Sequence, residues 1–418
     1  MKLLVLGGQL QGTEITYLAK AAGWEVTVVD KTAAVLASRL CDRFLQADLF
    51  TLEAGFFRGY DLVFPALEDL SALLYAQKLA VLAGTPMAFD EAAYRLSRSK
   101  IQTNRFLRDL GIKIPGLLTD FFEEQGLSAA TGSAPQSQPA AQSPSAPLGY
   151  IIKPDCKSGS KGLQRFLELS QARAYLRSHS GEGLFGQVFL DGPIYSIEVI
   201  CDYQRVTPYM VTEVVIGSDY DCHRIVAPAA VTPACQAAIK AIAMRIGQAM
   251  QLRGIFDIEF VWHGSEPYVL EIDARMPSQT PIAIYHASGV NFVVETARCF
   301  ISQATTAAPP PSAERHAILQ HVKTITAEKA HVQLIGEGQL CQSAPLTAKV
   351  GYFGADIALV GKDRRCDSGY ATLIAVGSSY DLTKNKMEKI LQGLRDCLCS
   401  RQRQQKTSEL TVGVAVGD

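Results

Sequence analysis

Carboxylates recur at two-residue spacing in Gly254-Ile255-Phe256-Asp257-Ile258-Glu259-Phe260. They recur again, after a His263-Gly264-Ser265 turn, in Tyr268-Val269-Leu270-Glu271-Ile272-Asp273-Ala274-Arg275. Two such runs joined by a tight turn form a β-hairpin. Side chains alternate faces along a strand, so Asp257 and Glu259 share one face, as do Glu271, Asp273 and Arg275. A turn centred near residue 265 sets Glu259 opposite Glu271, with Cβ atoms about 5 Å apart, where like charges repel. Such a pair requires a positive partner. Oxygen-only ligands facing a cleft suit Mg2+, which takes one or two carboxylates and fills its shell with phosphate oxygens. The competing reading is a solvated surface hairpin whose acids pair with Arg275; the hairpin alone does not decide.

Upstream, Tyr150-Ile151-Ile152-Lys153-Pro154 reads as an apolar strand that delivers Lys153 to a site. The loop Asp155-Cys156-Lys157-Ser158-Gly159-Ser160-Lys161-Gly162 follows. A Gly/Ser-rich loop brings backbone N–H groups close around phosphate oxygens, and lysine adds a point charge. No Gly-Lys-Ser/Thr opens a helix after it, so it is not a P-loop. Lys157 and Lys161 read equally well as solvated, whereas Lys153 follows three apolar residues. Ser97-Arg98-Ser99-Lys100 precedes an amphipathic helix, Ile101 to Leu110, ended by Gly111. A lysine at a helix start opposes the macrodipole, which points to an anionic partner. Leu184 to Val199 reads as strand, turn, strand, with Ser196 and Glu198 on one face. An acid on a half-buried strand needs a partner, either a ligand amine or an arginine such as Arg224.

The elements that must position these groups begin with Leu3–Leu6, Glu25–Val29 and Asp61–Phe64, apolar runs alternating with helical patterns. That alternation predicts a small doubly wound parallel module. Its turn, Gly7-Gly8-Gln9-Leu10-Gln11-Gly12, departs from the dinucleotide G-x-G-x-x-G, so a tight strand-to-helix turn with Asp30 as a cap is the favoured reading. Gln9, Gln11, Asp30 and Glu68 then lie at the carboxyl edge of the strands, where ligands bind in such sheets. Residues 126–147 hold four prolines, five serines and no charge, and are expected to form a flexible insertion. Ala307-Ala308-Pro309-Pro310-Pro311-Ser312 marks a second boundary.

With 418 residues, 48% hydrophobic and a formal net charge of -1, the chain supports two or three globular domains. Nothing resembles a basic stripe for nucleic acid. No run approaches the roughly 18 apolar residues of a membrane span. The ten cysteines include no C-x-x-C pair. A signal-peptide core is absent from the start, and a reducing cytoplasm is the expected setting.

Taken together, Lys100, Lys153 with the Ser-Gly-Ser-Lys-Gly loop, the Gln187–Leu190 stretch and the Glu259 … Glu271-x-Asp273-x-Arg275 hairpin resemble the ATP-grasp carboxylate–amine ligases. The resemblance implies an α/β and α+β protein in three parts: an N-terminal domain (1–94), an ATP-grasp helix and mobile lid (95–190), and a C-terminal domain (191–418) with a tail subdomain from about 302. The run Asp273-Ala274-Arg275-Met276-Pro277-Ser278-Gln279-Thr280-Pro281 is similar to the pyrrolysine-biosynthesis branch of that family, whose substrates are 3-methyl-D-ornithine, L-lysine and ATP. By that resemblance Lys100 and Lys153 bind ATP phosphates, with Ser158, Gly159, Ser160, Lys161 and Gly162 closing over them. Gln187, Val188 and Leu190 hold adenine. Glu259, Glu271 and Asp273 hold Mg2+, as two ions, and Arg275, Lys153 and Glu198 serve the chemistry. Ser196, Glu198, Arg224, Ser278, Glu68, Gln9 and Leu10 are the implied substrate contacts; Glu68 reads equally well as an arginine's partner. The family's ribose-binding acid is replaced by Ile194, and an acid common at position 187 by Gln187. A homodimer is the expected assembly. Another ATP-grasp ligase, a dinucleotide oxidoreductase and a non-catalytic ATP-binding module are the alternatives.

Overall fold

The structure, a computed structural model, describes residues 1–118, 147–157, 159, 161–203, 205–301, 315–326, 330–363 and 368–414, with side chains to residue 400. The insertion expected over 126–147 lies, but for Pro147, outside the described residues, as do Ser158, Ser160 and the 307–312 boundary.

Strands β1 (Lys2–Leu6), β2 (Glu25–Asp30), β3 (Arg43–Gln46) and β4 (Leu62–Pro65) form a parallel sheet in the order β3-β2-β1-β4. Leu3, Leu4, Val5, Val26 and Val28 are fully buried, as continuous apolar strands covered on both faces must be. The edge strand β3 was not foreseen, because only Phe44 and Leu45 are apolar in it. Gly7 has φ of +103°, and a Cβ there would meet the Ala66 carbonyl oxygen at 2.4 Å, so only glycine fits this turn. Asp30 accepts from the Gly8 N–H at 2.9 Å and the Thr32 N–H at 2.8 Å. Its carboxylate thus closes the turn, as the capping reading requires, and is engaged where a ribose would need it.

A small antiparallel sheet follows, built of β5 (Tyr150–Pro154), β6 (Gln164–Phe166) and β7 (Leu184–Val188) in the order β6-β5-β7. The main sheet contains β8 (Ile194–Asp202), β9 (Arg205–Ile216), β10 (Cys222–Ala227), β11 (Arg253–His263), β12 (Glu266–Asp273), β13 (His316–Ile325), β14 (His331–Leu334), β15 (Thr347–Val350), β16 (Ile357–Lys362) and β17 (Gly369–Gly377). Their order is β12-β11-β8-β9-β10-β13-β17-β16-β15, with β14 on β13, so the tail continues the central sheet.

Alternation along β8 and β11 decides which face carries chemistry. Ile197, Val199, Phe256 and Ile258 pack on Ile239, Ala243 and Ile246 of the helix Pro233–Met250. Ser196, Glu198, Asp257 and Glu259 consequently face the other way. A continuous core joins Leu3, Ile15 and Leu18 of the first module to Ile284, Ala287, Phe292 and Leu319. Each such side chain contributes roughly 1.5–3 kcal/mol on burial. In the tail, Ile318, Leu373 and Ala375 bury against Met387, Ile390 and Leu394 of the helix Tyr380–Val414.

The first module also reaches the core through Glu14, whose Oε2 accepts from the Ile282 N–H at 2.9 Å. The helix Thr280–Ser288 has no side-chain cap of its own, so this carboxylate serves its N-terminus. Burial pushes the Glu14 carboxyl up to about 8 from 4.5. Between those values the folded chain holds a proton that the unfolded chain has released, so this group lowers stability as pH rises through that window. Glu14→Gln keeps an acceptor and cannot ionise. Its thermal midpoint should therefore gain on the wild type between about pH 5 and about pH 8; an offset that is constant with pH would show that Glu14 does not titrate there.

Candidate functional site

The hairpin of β11 and β12 turns through Gly264, whose φ of +64° suits the two-residue connection between His263 and Glu266. Glu259 pairs with Glu271 and Asp257 with Asp273, while on the other side β8 sets Ser196 beside Glu259 and Glu198 beside Asp257. Two cross-strand rows result, Ser196–Glu259–Glu271 and Glu198–Asp257–Asp273. The register shifts between Glu259 and Phe260, because Phe260 pairs with Val269 and leaves Leu270 without a partner. This β-bulge lets the consecutive residues Leu270 and Glu271 both line the cleft, which strict alternation forbids.

Cations reach this acidic face from separate elements. The helix Lys100–Asp109 is capped by Ser99, which accepts from the Gln102 N–H, and Asp155 accepts from the Ile101 N–H at 2.8 Å. That carboxylate offsets the unfavourable place of Lys100 at the helix start. Lys100 is 8% exposed and donates to Glu271 at 2.6 Å and to the Lys157 carbonyl at 2.8 Å. Lys153, on β5, lies 5.5 Å from the Phe185 ring centroid, and burial holds its ammonium below the usual range. Arg275 donates to Asp273 at 2.9 Å and lies 3.3 Å from Glu68.

Glu259 is the carboxylate these cations leave over. No hydrogen-bond donor reaches it among the described residues, and burial beside Glu271 and Asp273 pushes its carboxyl up to about 8. Asp273 rises to about 6, through burial opposed by Arg275. Among the described residues no three His, Cys, Asp or Glu side chains form a group able to hold a metal ion. Two carboxylates, one lacking any donor, beside the lysines of a glycine loop are a set that fits Mg2+ arriving with phosphate oxygens.

The cleft encloses about 380 Å³. Its lining includes Lys100, Lys153, Gly159, Lys161, Gln187, Val188, Leu190, Ser196, Glu259, Glu271, Asp273, Arg275 and Ser278, all anticipated from the sequence. Ile151, Ile194, Ile216 and Leu270 supply its apolar wall. The N–H of Val188 donates to the Gly116 carbonyl at 2.8 Å, so it is engaged within the protein. Gly162 is not among the lining residues. Its φ of +83° sets the loop's turn.

Several candidates lie elsewhere. Arg224 does not meet Glu198: its Nε donates to Gln320 at 2.6 Å. Glu198 instead accepts from the Ser196 hydroxyl at 3.3 Å, fully buried beneath the cleft floor, where burial pushes it up to about 7. Glu68 accepts from Gln11 at 3.0 Å and pairs with Arg275, the arginine-partner reading of that residue. Leu10 packs near Ile335, Leu340 and Tyr370, and Gln9 is likewise outside the cleft lining. Asp257, Asp221 and Glu337 line the cleft without having been singled out as site residues. Asp257 was legible as a hairpin acid; Glu337, between Gly336 and Gly338, looks in sequence like any exposed turn.

An ATP-grasp domain model matches residues 97–279. The crystal structure of N5-carboxyaminoimidazole synthetase from Staphylococcus aureus, complexed with ADP, superposes with a TM-score of 0.63 at 15% identity, over 93% of this chain and 96% of that one. The chain thus carries an ATP-grasp domain over residues 97–279 and shares the ATP-grasp fold. An L-amino acid ligase from Bacillus licheniformis has the same fold, with a TM-score of 0.60 at 17% identity over 93% of this chain and 96% of its own. In sequence this chain is 27% identical over 403 residues to the 3-methyl-D-ornithine–L-lysine ligase of Methanosarcina acetivorans, covering 94% of this chain and 98% of that one.

Glu271→Ala removes the partner of a buried lysine and half of the carboxylate pair. Mg2+-dependent ADP formation should fall by about a hundredfold or more, with far-ultraviolet circular dichroism unchanged. Wild-type rates in a folded Glu271→Ala protein would exclude the metal assignment.

Proposed function

We propose that this ATP-grasp ligase joins the carboxylate of 3-methyl-D-ornithine to the ε-amine of L-lysine, giving 3-methylornithyl-N6-lysine, ADP and phosphate in pyrrolysine biosynthesis. The observation that carries the reading is the likeness to the Methanosarcina acetivorans ligase across 98% of that protein's length. The cleft's chemistry supports it. Beyond the phosphate-facing lysines Asp257 lines the cleft, with a buried carboxylate oxygen lacking a hydrogen-bond partner among the described residues, and Glu198 lies buried beneath it. A substrate ammonium would satisfy the Asp257 oxygen.

In this reading the ornithine carboxylate attacks the γ-phosphate of ATP, and ADP leaves. Lys100 and Lys153 balance charge on the transferring phosphoryl group by position and electrostatics, and Gly159, Lys161 and Gly162, with Ser158 and Ser160, close over it. Glu259 and Glu271, with Asp273 nearby, would hold Mg2+ as two ions, which would supply charge neutralisation at the phosphate oxygens. Arg275 steadies the acyl phosphate and the oxyanion that forms when the lysine ε-amine attacks. That amine, with an ordinary pKa of about 10.4, must first shed a proton. Glu198, held near 7 by burial, either accepts it or anchors the ammonium. Leu190 and the apolar wall around it receive adenine. A domain partition at about residues 94 and 190, a homodimer and a cytoplasmic setting belong to the same proposal.

Another ATP-grasp activity is favoured by the fold likeness to N5-carboxyaminoimidazole synthetase. Product analysis separates the two. With ATP, Mg2+ and L-lysine, addition of D-ornithine or its 3-methyl form should release one ADP per ornithyl-lysine detected by mass spectrometry. Absence of both products would overturn the substrate assignment. Glu198→Gln should lower kcat/KM for the amino acids by about a hundredfold and leave the KM for ATP unchanged. An unaltered amino-acid profile would make Glu198 structural.

A further inference from the structure

Glu337 enters the cleft from the segment between β14 and β15, well outside residues 97–279. Its approach is dictated by close packing. Asp221, in the β9–β10 turn, accepts from the Gly338 N–H at 2.8 Å, and a Cβ on Gly336 would stand 2.2 Å from Asp221 Oδ2. Only glycines flanking Glu337 let the backbone press this closely onto Asp221 and present the side chain to the site.

The carboxylate is then divided between two tasks. Oε2 accepts from the Ser278 hydroxyl at 2.7 Å and from Gln279 Nε2 at 2.5 Å. Gln279 is itself fixed, with φ of +74°, by His321, whose Nε2 donates to Gln279 Oε1 at 2.8 Å while Nδ1 accepts from Thr372. Oε1 is met by no donor among the described residues, and it points at Gly159, where an added Cβ would lie 3.6 Å from it. Across the same cleft Asp257 is 6% exposed and has a buried oxygen with no partner among the described residues. That oxygen and Oε1 call for a donor that the described residues do not supply.

We propose that Glu337 Oε1 anchors a spectator ammonium of the carboxylate-donating diamino acid. This rests on the proposed ligase reaction. The attacking amine must be neutral when it reacts, and an acid fixed by two donors would hold it protonated. Glu337 therefore suits the ammonium that stays charged, on the substrate whose carboxylate is activated beside Gly159 and Arg275.

The test compares D-ornithine with D-norvaline, which lacks the distal amine, and with 5-aminopentanoate, which lacks the α-amine. Calorimetric titrations use wild type and Glu337→Gln with ADP and Mg2+ present. Wild type should bind D-ornithine at least about tenfold more tightly than one of these analogues, as expected for a charge-assisted hydrogen bond. Glu337→Gln should bind that pair alike, with ADP affinity unchanged. Equal discrimination by both proteins, or no discrimination by wild type, would overturn the assignment. Parallel assays of ornithyl-lysine formation keep the readings apart: lost discrimination in Glu337→Gln without any ligase product in wild type would sink the proposed reaction and keep the ammonium site.

Discussion

Glu198, Asp257, Glu259, Glu271 and Asp273 share one face of three adjacent strands, and their mutual repulsion is the constraint around which the site is arranged. The cations that meet these acids come from other elements. Lys100 arrives on a helix start, Lys153 on the small sheet, and Arg275 from the segment leaving β12. Because each cation comes from a different element, the elements are held in register by the same electrostatics that would position phosphate. Two of the imports are committed to acids, at Glu271 and Asp273; Glu259 is left for whatever enters the cleft.

A second dependence runs through residues 278–282. Glu14 of the first module serves the Ile282 N–H, and Glu337 and His321 of the tail hold Gln279 in a left-handed conformation that costs of order 1–3 kcal/mol. The segment between Arg275 and the helix Thr280–Ser288 is thus gripped from both ends of the chain. A shift of the first module or the tail would be felt next to the Arg275 guanidinium in the cleft wall.

Much of this was legible in the sequence because it follows from periodicity. The apolar runs gave the parallel sheet, two-residue spacing gave the Glu259–Glu271 pairing, and Lys100 at a helix start pointed to the anion found at Glu271. The remainder depends on contacts distant in the chain, which periodicity does not encode. Arg224 found Gln320 ninety-six positions away rather than Glu198, and Glu68 found Arg275. Glu337 reached the site through an approach to Asp221 across 116 intervening positions. The tail's continuation of the central sheet was hidden for the same reason, since strand order beyond β10 is set by sheet packing and not by local pattern.

The bulge at Leu270 gives one strand two neighbouring jobs. In an uninterrupted ladder residues two apart share a face, so with Glu271 in the cleft Leu270 would point to the core and Val269 would leave it. The extra residue adds an apolar side chain to the cleft wall without moving the carboxylate beside it. Charge placement and wall shape are therefore independent along this strand. The cleft's selectivity for what lies against that wall can drift by substitution at position 270 while the Glu259–Glu271 pair stays in register.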